Sequence, residues 1–139
     1  MIKRLLMLAG LTAGCAMAPA PLSFDYVSRD EPDRGGVRLS LHNTSRGRIC
    51  LSAGEWPNRG GKIHYGRTRV FLMVEGARFA VRDFNTGSCI GGCRTSVARG
   101  KTLEGFIPYS EFDLPHALWP KPKSLEFTPR PYRCPAGLR

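Results

Sequence analysis

The residues of this sequence with the clearest capacity for chemistry are its five cysteines. Thiols form disulfides, bind soft metal ions, take part in redox reactions and accept covalent modification. Cys89 and Cys93 are separated only by Ile90-Gly91-Gly92, and the two glycines let so short a loop close. This spacing permits a local disulfide, a redox pair or a metal site, and the structural disulfide is the interpretation that we favour.

Cys15 differs from the other cysteines because of the residues that precede it. Residues 1–14 begin with the positive charges of Lys3 and Arg4, continue with the apolar run 5–11 and end in small residues. This order is typical of a secretory signal peptide. The apolar run is far shorter than the roughly 20 residues that a membrane-spanning helix needs. The sequence therefore predicts export rather than a transmembrane anchor.

The segment Leu11-Thr12-Ala13-Gly14-Cys15 resembles the lipobox of bacterial lipoproteins. Ala13 and Gly14 match the small residues of that motif, whereas Thr12 stands where leucine is usual. In that family the cysteine thiol receives a diacylglyceryl group, and cleavage then leaves the cysteine as the first residue. The resemblance implies lipidation of Cys15 and attachment to a lipid bilayer through this acylated cysteine.

The residues after Cys15 bear on location. Ala16 stands where an aspartate would retain a lipoprotein in the inner membrane, so the resemblance implies the outer membrane, facing the periplasm. Residues 15–23 are interpreted as the lipid anchor and a Pro/Ala-rich spacer. The alternative is a soluble periplasmic or secreted protein cleaved after Ala18, although Pro19 disfavours that cleavage.

Lipidation of Cys15 would leave four cysteines, and an even number in an oxidising compartment predicts two disulfides with three possible connectivities. We predict Cys89–Cys93 and Cys50–Cys134. The second would close a loop of about 85 residues and stabilise the fold by about 4–5 kcal/mol. The C-x-x-x-C spacing also resembles that of copper-delivery proteins of thioredoxin-like fold, but the sequence lacks their βαβ pattern.

The sequence is strongly basic, with 21 Lys and Arg against 11 Asp and Glu and a formal net charge of +10. Such a charge usually indicates nucleic acid, but an exported protein meets anionic lipids, lipopolysaccharide phosphates or acidic cell-wall polymers instead. We therefore predict no nucleic-acid partner. The Arg-Gly-Gly triplets at 34–36 and 59–61 precede β-like runs and are interpreted as turns.

The pattern of residues 24–139 is that of one β-domain. Val37, Leu39 and Leu41 alternate with polar residues, as in a half-buried strand. Further short strands are predicted at 48–52, 62–65, 103–107 and 124–128. This spacing is typical of an all-β fold, a small antiparallel β-sandwich of immunoglobulin-like build with disulfides, and a small β-barrel is the alternative.

The clearest unit is a hairpin whose turn is Glu75-Gly76, because it aligns one wholly apolar face. The pairs on that face are Val74 with Ala77, Leu72 with Phe79, and Val70 with Val81. The same register sets Arg69 opposite Arg82 and Arg78 opposite Met73. Like charges facing each other are unfavourable unless an anion or solvent separates them. Arg69, Arg78 and Arg82 are therefore candidate anion-binding residues, with a solvated face as the alternative.

Signatures of catalysis are absent from the sequence. It has no G-x-S-x-G motif, and its three histidines, at 42, 64 and 116, are isolated. The acidic stretch 30–33 lacks calcium-loop spacing and is interpreted as an exposed turn before the first strand. We predict no metal, no cofactor and no enzymatic activity.

These patterns together favour a non-enzymatic envelope lipoprotein that acts as a binding module for a protein or an anionic envelope component. Two alternatives remain open. One is a periplasmic inhibitor of a lytic enzyme or protease that presents the loop 86–96 to an active site. The other is a metal or redox protein that uses Cys89 and Cys93.

Overall fold

The computed structural model describes residues 21–63, 70–82 and 94–137. Within these ranges the chain forms nine strands and three short 3₁₀ turns, without an α-helix, so the prediction of an all-β fold is confirmed. The strands are β1 (Phe24–Glu31), β2 (Gly36–Asn43), β3 (Ile49–Leu51), β4 (Phe71–Val74), β5 (Ala77–Ala80), β6 (Thr95–Val97), β7 (Thr102–Pro108), β8 (Lys123–Glu126) and β9 (Tyr132–Arg133). The 3₁₀ turns are Pro32–Arg34, Tyr109–Glu111 and His116–Leu118.

The strands build three small antiparallel sheets of three strands each. The first has the order β1-β2-β7, the second β6-β3-β9 and the third β5-β4-β8. Every pairing within them is antiparallel. The central strands β2 and β4 each pair with one strand nearby and one far away in the sequence, whereas both partners of β3 are far away.

The first sheet begins with a long hairpin. β1 and β2 pair along their whole length, from Phe24 opposite Asn43 to Glu31 opposite Gly36. The connection reverses through the 3₁₀ turn, which Pro32 starts and which ends at Gly35 with φ 66°, a left-handed conformation that glycine adopts without strain.

The interpretation of residues 30–33 as an exposed turn before the first strand is wrong in part. Asp30 and Glu31 are the last residues of a strand that precedes β2, and both are half-buried. Residues 24–31 lack a continuous apolar face, so their periodicity is weak. Their strand conformation is stabilised by hydrogen bonds to β2, a tertiary contribution.

The β4-β5 hairpin has the predicted register, with Val74 opposite Ala77 and Leu72 opposite Phe79. Its turn places Glu75 at φ 49° and Gly76 at φ 81°, the two positive φ values that a two-residue hairpin turn requires. Val81 N–H donates to the carbonyl oxygen of Val70 over 3.1 Å, which extends the pairing beyond β5.

One hydrophobic core is shared by the three sheets. Its members include Leu39 and Leu41 from β2, Ile49 from β3, Leu72 from β4 and Ile107 from β7, all fully buried. Burial of such side chains stabilises the fold by about 1.5–3 kcal/mol each.

The predicted disulfide between Cys50 and Cys134 is present and joins β3 to the residue that follows β9. The two Cα atoms are 5.0 Å apart and Cys50 is fully buried. Cys15, Cys89 and Cys93, and with them the lipidation site and the second predicted disulfide, lie outside the described residues.

A buried polar cluster joins β1 to β8. The ammonium group of Lys123 donates to the carbonyl oxygens of Trp119, over 2.5 Å, and Lys121, over 2.6 Å. The Asp30 carboxylate accepts hydrogen bonds from the Tyr109 hydroxyl and from the backbone N–H of Lys123. Burial, and then the hydrogen bond to Asp30 and its negative charge, raise the pKa of Tyr109 well above its ordinary value.

Candidate anion-binding groove

A groove of about 1080 Å³ lies between β7 and the segment 56–61. Its floor is apolar and is formed by Trp56 and Pro57 from that segment together with Phe106 and Pro108 from β7. Three guanidinium groups, those of Arg34, Arg38 and Arg59, line it as well. We call this feature the arginine groove.

Both Arg-Gly-Gly triplets contribute to the arginine groove, and in each one the last glycine lies against β7. A β-carbon on Gly36 would lie 2.3 Å from Cζ of Phe106, and one on Gly61 would lie 2.4 Å from Cδ of Pro108. Neither position accommodates a larger residue without displacement of β7 or its side chains. The two glycines thus let two distant chain segments approach one strand, and each approach delivers an arginine to the groove.

The segment 56–61 also covers the free edge of β7. Trp56 Nε1 donates to the carbonyl oxygen of Glu104 over 3.2 Å. Gly105 permits this approach, because a β-carbon there would lie 2.6 Å from Cγ of Pro57 and 2.9 Å from Trp56 Nε1. The groove is therefore bounded by a fixed segment whose position depends on a side chain hydrogen-bonded to the sheet.

Glu31 holds two of the three arginines in place. Its carboxylate lies 2.7 Å from Nε of Arg38 and 3.0 Å from an Nη atom of Arg34. The Arg34 guanidinium also lies over the ring of Phe106, 4.7 Å from its centroid. Desolvation acts to raise the pKa of Glu31, but the hydrogen bonds and charges of Arg38 and Arg34 outweigh it and lower that pKa.

Arg59 and Glu104 complete the charged lining. Within the described ranges Arg59 makes no ion pair, and Glu104 accepts a hydrogen bond of 3.0 Å from the Ser40 hydroxyl. The groove lining thus carries three positive side chains and one negative one. This arrangement suits carboxylate or phosphate groups, to which a guanidinium donates two parallel hydrogen bonds.

The arginines proposed from the hairpin register are not brought together in this way. Arg78 is paired with the carboxylate of Glu126 and lies 4.2 Å from the ring centroid of Phe71. Arg82 is paired with Asp113, with 3.1 Å between Nε and Oδ1. Arg69 lies outside the described residues. Arg78 in β5 and Arg82, which follows β5, therefore lie in two separate ion pairs.

Other sequence candidates have structural contacts of their own. His42 Nδ1 lies 2.9 Å from the Thr102 hydroxyl, and the His116 ring stacks on Trp119 with 4.2 Å between centroids. In the ranges 21–63, 70–82 and 94–137 no group of three His, Cys, Asp or Glu residues could hold a metal ion. No helix in those ranges is long and apolar enough to cross a membrane. His64 and most of the loop 86–96 fall outside them.

The repeated Arg-Gly-Gly triplet is the sequence signal for this groove, and its interpretation as a pair of turns does not predict the groove. The same triplet occurs twice, followed directly by Val37 in the first case and by Lys62 and then Ile63 in the second. Both triplets do lie at turns. Their convergence depends on the pairing of β2 with β7, which no local pattern specifies.

No protein-family model, curated protein or solved structure is significantly similar to the chain.

Proposed function

We propose that this protein is a non-enzymatic lipoprotein of the cell envelope whose arginine groove binds the carboxylate or phosphate groups of an anionic envelope component. One observation carries the proposal: Arg34 and Arg38 from the β1-β2 hairpin and Arg59 from the segment 56–61 line one groove with an apolar floor. An apolar floor lowers the local dielectric constant and strengthens each charge-assisted hydrogen bond formed above it.

The preorganisation of two arginines supports this role. Glu31 orients the guanidinium groups of Arg34 and Arg38 before any ligand arrives, which reduces the entropy lost on binding. Arg59 supplies a charge without a carboxylate partner in the described part of the chain. The remaining positive charge favours an anion. The net charge, which falls from +10 to +8 when residues 1–14 are removed with Lys3 and Arg4, would steer that anion toward the protein.

The proposed location rests on the amino-terminal sequence and on the disulfide. Residues 1–14 act as a signal peptide, Cys15 is lipidated, and residues 15–23 link the anchor to a single domain, 24–139. The Cys50–Cys134 disulfide is consistent with an oxidising compartment such as the periplasm.

For the fold we propose an antiparallel sandwich of immunoglobulin-like build rather than a small barrel. The support is that each sheet has only three strands and that all three contribute to one core. In a sandwich β7 can be an edge strand whose second side is covered by the segment 56–61 instead of a strand, whereas barrel closure would pair both of its sides with strands.

The binding function is tested with inorganic tripolyphosphate, a small polyanion, titrated into the purified protein at low ionic strength. Binding is followed by calorimetry and by tryptophan fluorescence, because Trp56 lies in the groove. We expect Arg59→Gln to weaken binding about five- to tenfold. Arg82→Gln, which removes the same charge from the third sheet, is the matched control. Equal effects of the two substitutions would refute the groove as the binding site.

The anchor is tested separately in cells of the source organism. We expect the wild-type protein to fractionate with membranes and to incorporate an alkyne-labelled fatty acid. Cys15→Ser should abolish the label and release the protein from the membrane fraction. A variant that stays membrane-bound without the label would show that another element anchors the chain.

A further inference from the structure

We propose that the ligand of the arginine groove is an acidic polysaccharide chain that crosses the outer face of the first sheet. This inference rests on the proposed anion-binding function and adds the class of ligand to it. Its starting point is a second groove of about 460 Å³ on the same sheet, which contains Arg29, Val27 and Ser40.

The two grooves adjoin because they share two residues. Arg38, at the centre of β2, and Glu104, in β7, line both of them. Together they form one track that runs from the segment 56–61 across β7 and β2 to β1. Neighbouring strands are about 4.8 Å apart, so the track spans roughly 15 Å. It is therefore longer than a single phosphate group or a single sugar ring.

Like charges face each other in the middle of this track. Arg29 lies directly opposite Arg38 in the β1-β2 register. Glu31 is paired with Arg38, whereas Arg29 has no ion pair among the residues that the structure describes. A like-charged cross-strand pair is destabilising by itself. An anionic group of the ligand between the two guanidiniums would remove this repulsion and gain two charge-assisted contacts.

The other groups along the track match the chemistry of sugar acids. Ser40, Asn58 and Thr95 provide hydroxyl and amide groups, and Phe106 provides apolar surface. Val27 is 56% exposed, the one large hydrophobic residue in the described ranges with such exposure, and it adjoins Arg29 on the same face. A polysaccharide of acidic units offers carboxylates, hydroxyls and apolar ring faces, which are complementary to these groups.

Two other partners fit the track less well. An acidic peptide that added a strand to β7 would need its free edge, but the segment 56–61 already covers that edge through Trp56 and Glu104. A membrane surface is flat, whereas both grooves are concave. A polysaccharide chain, which would contact both grooves through its side groups without backbone pairing, fits the track better.

The experiment uses α-1,4-linked galacturonate oligomers from dimer to octamer, with neutral maltooligosaccharides of equal length as controls. We expect the affinity to rise with length until the track is filled, and the neutral series not to bind. Arg29→Gln should weaken octamer binding about fivefold. Val27→Ser, as a second variant, should weaken octamer binding about two- to threefold. Arg82→Gln should change neither octamer binding nor tripolyphosphate binding. Urea midpoints confirm that all variants fold.

The other outcomes refute either the polysaccharide track or the proposed anion-binding function. Equal affinity for dimer and octamer, or an octamer affinity that Arg29→Gln does not change, would refute the polysaccharide track. Tighter binding of an oligouridylate or a polyglutamate of equal charge would refute it as well. In those cases Arg59-dependent binding of tripolyphosphate would leave the proposed function standing. If Arg59→Gln does not weaken tripolyphosphate binding, the proposed function itself fails.

Discussion

The ammonium group of Lys123 lies 3.9 Å from Oδ2 of Asp30, and no part of the lysine side chain is exposed to solvent. This ammonium also lies 4.2 Å from the ring centroid of Tyr109, whose hydroxyl donates to the same carboxylate. The next residue after Asp30 is Glu31, which holds the arginines of the groove. The buried cluster therefore fixes the end of β1 from the inside, while Glu31 acts on its outside.

We predict that Lys123→Met destabilises the protein by about 3–4 kcal/mol. The substitution keeps the apolar stem but leaves the half-buried Asp30 carboxylate without its counter-charge. It also removes the donor to the Trp119 and Lys121 carbonyls. The free energy of unfolding in urea measures the effect. Lys101→Met, at an exposed position, is the control and should change it by less than about 0.5 kcal/mol.

The coupling between Asp30 and Lys123 is measured by a double-mutant cycle with Asp30→Asn. Because each single variant leaves one buried polar group uncompensated, the double variant should be more stable than the sum of the two losses implies. Strict additivity of the two losses would show that the pair does not interact.

We predict that Gly61→Ala destabilises the protein by about 2–4 kcal/mol, because it combines a left-handed φ of 74° with a contact of 2.4 Å to Pro108. Gly100→Ala is a matched control. Its φ of 70° is similar, but nothing lies within 4 Å of the added carbon, so it should cost only about 1–2 kcal/mol. Unfolding in urea gives both values. Equal losses would mean that close packing on β7 contributes nothing.

We predict that the double variant Cys50→Ser, Cys134→Ser loses about 4 kcal/mol of stability, because the disulfide closes residues 84 positions apart in the unfolded chain. The buried Cys50 should also resist mild reductant in the folded protein. Thiol titration before and after denaturation tests this. Ready reduction without unfolding, or an unchanged free energy of unfolding, would contradict the prediction.

We predict that the stability difference between the wild type and Glu31→Gln decreases at acid pH. The pKa of Glu31 is lowered in the folded state, so the carboxylate stabilises the fold above its unfolded pKa of about 4.5, and this contribution is lost as the pH falls through the folded value. Urea midpoints near pH 7 and near pH 3 measure the change. Glu55→Gln, whose carboxylate makes no ion pair in the described chain, should show no such trend. A difference that is independent of pH would refute the role of Glu31.

The parts of the fold that the sequence predicts well are local. The β4-β5 hairpin follows from Glu75-Gly76 and from alternation on either side, because turn and register are encoded within a dozen or so residues. β2 is predicted for the same reason. β1 is missed because its outward face carries Asp25, Val27 and Arg29 in no clear apolar pattern, and its strand form depends on pairing with β2.

The groove could not be predicted from the sequence because Arg59 and the β7 lining are brought to Arg34 and Arg38 by non-local contacts. The hairpin register predicts an anion-binding face, but Arg78 and Arg82 have carboxylate partners from distant segments. Arg29 and Arg38 are like charges that face each other across two strands, and this contact exists only because β1 pairs with β2. The sequence shows the arginines themselves but not which residues lie next to them in the fold.

The position of β3 at the centre of its sheet has a consequence for the order of folding. β3 pairs with β6 and with β9, so this sheet is complete only when residues more than 80 positions apart have met. Such high contact order slows folding. Cys50 can therefore form its native disulfide only after Cys134 has emerged, and an oxidoreductase that acted earlier would pair it with another cysteine of the chain. Correct disulfide pairing in the cell therefore depends on Cys50 remaining accessible until β9 is available to pair with β3.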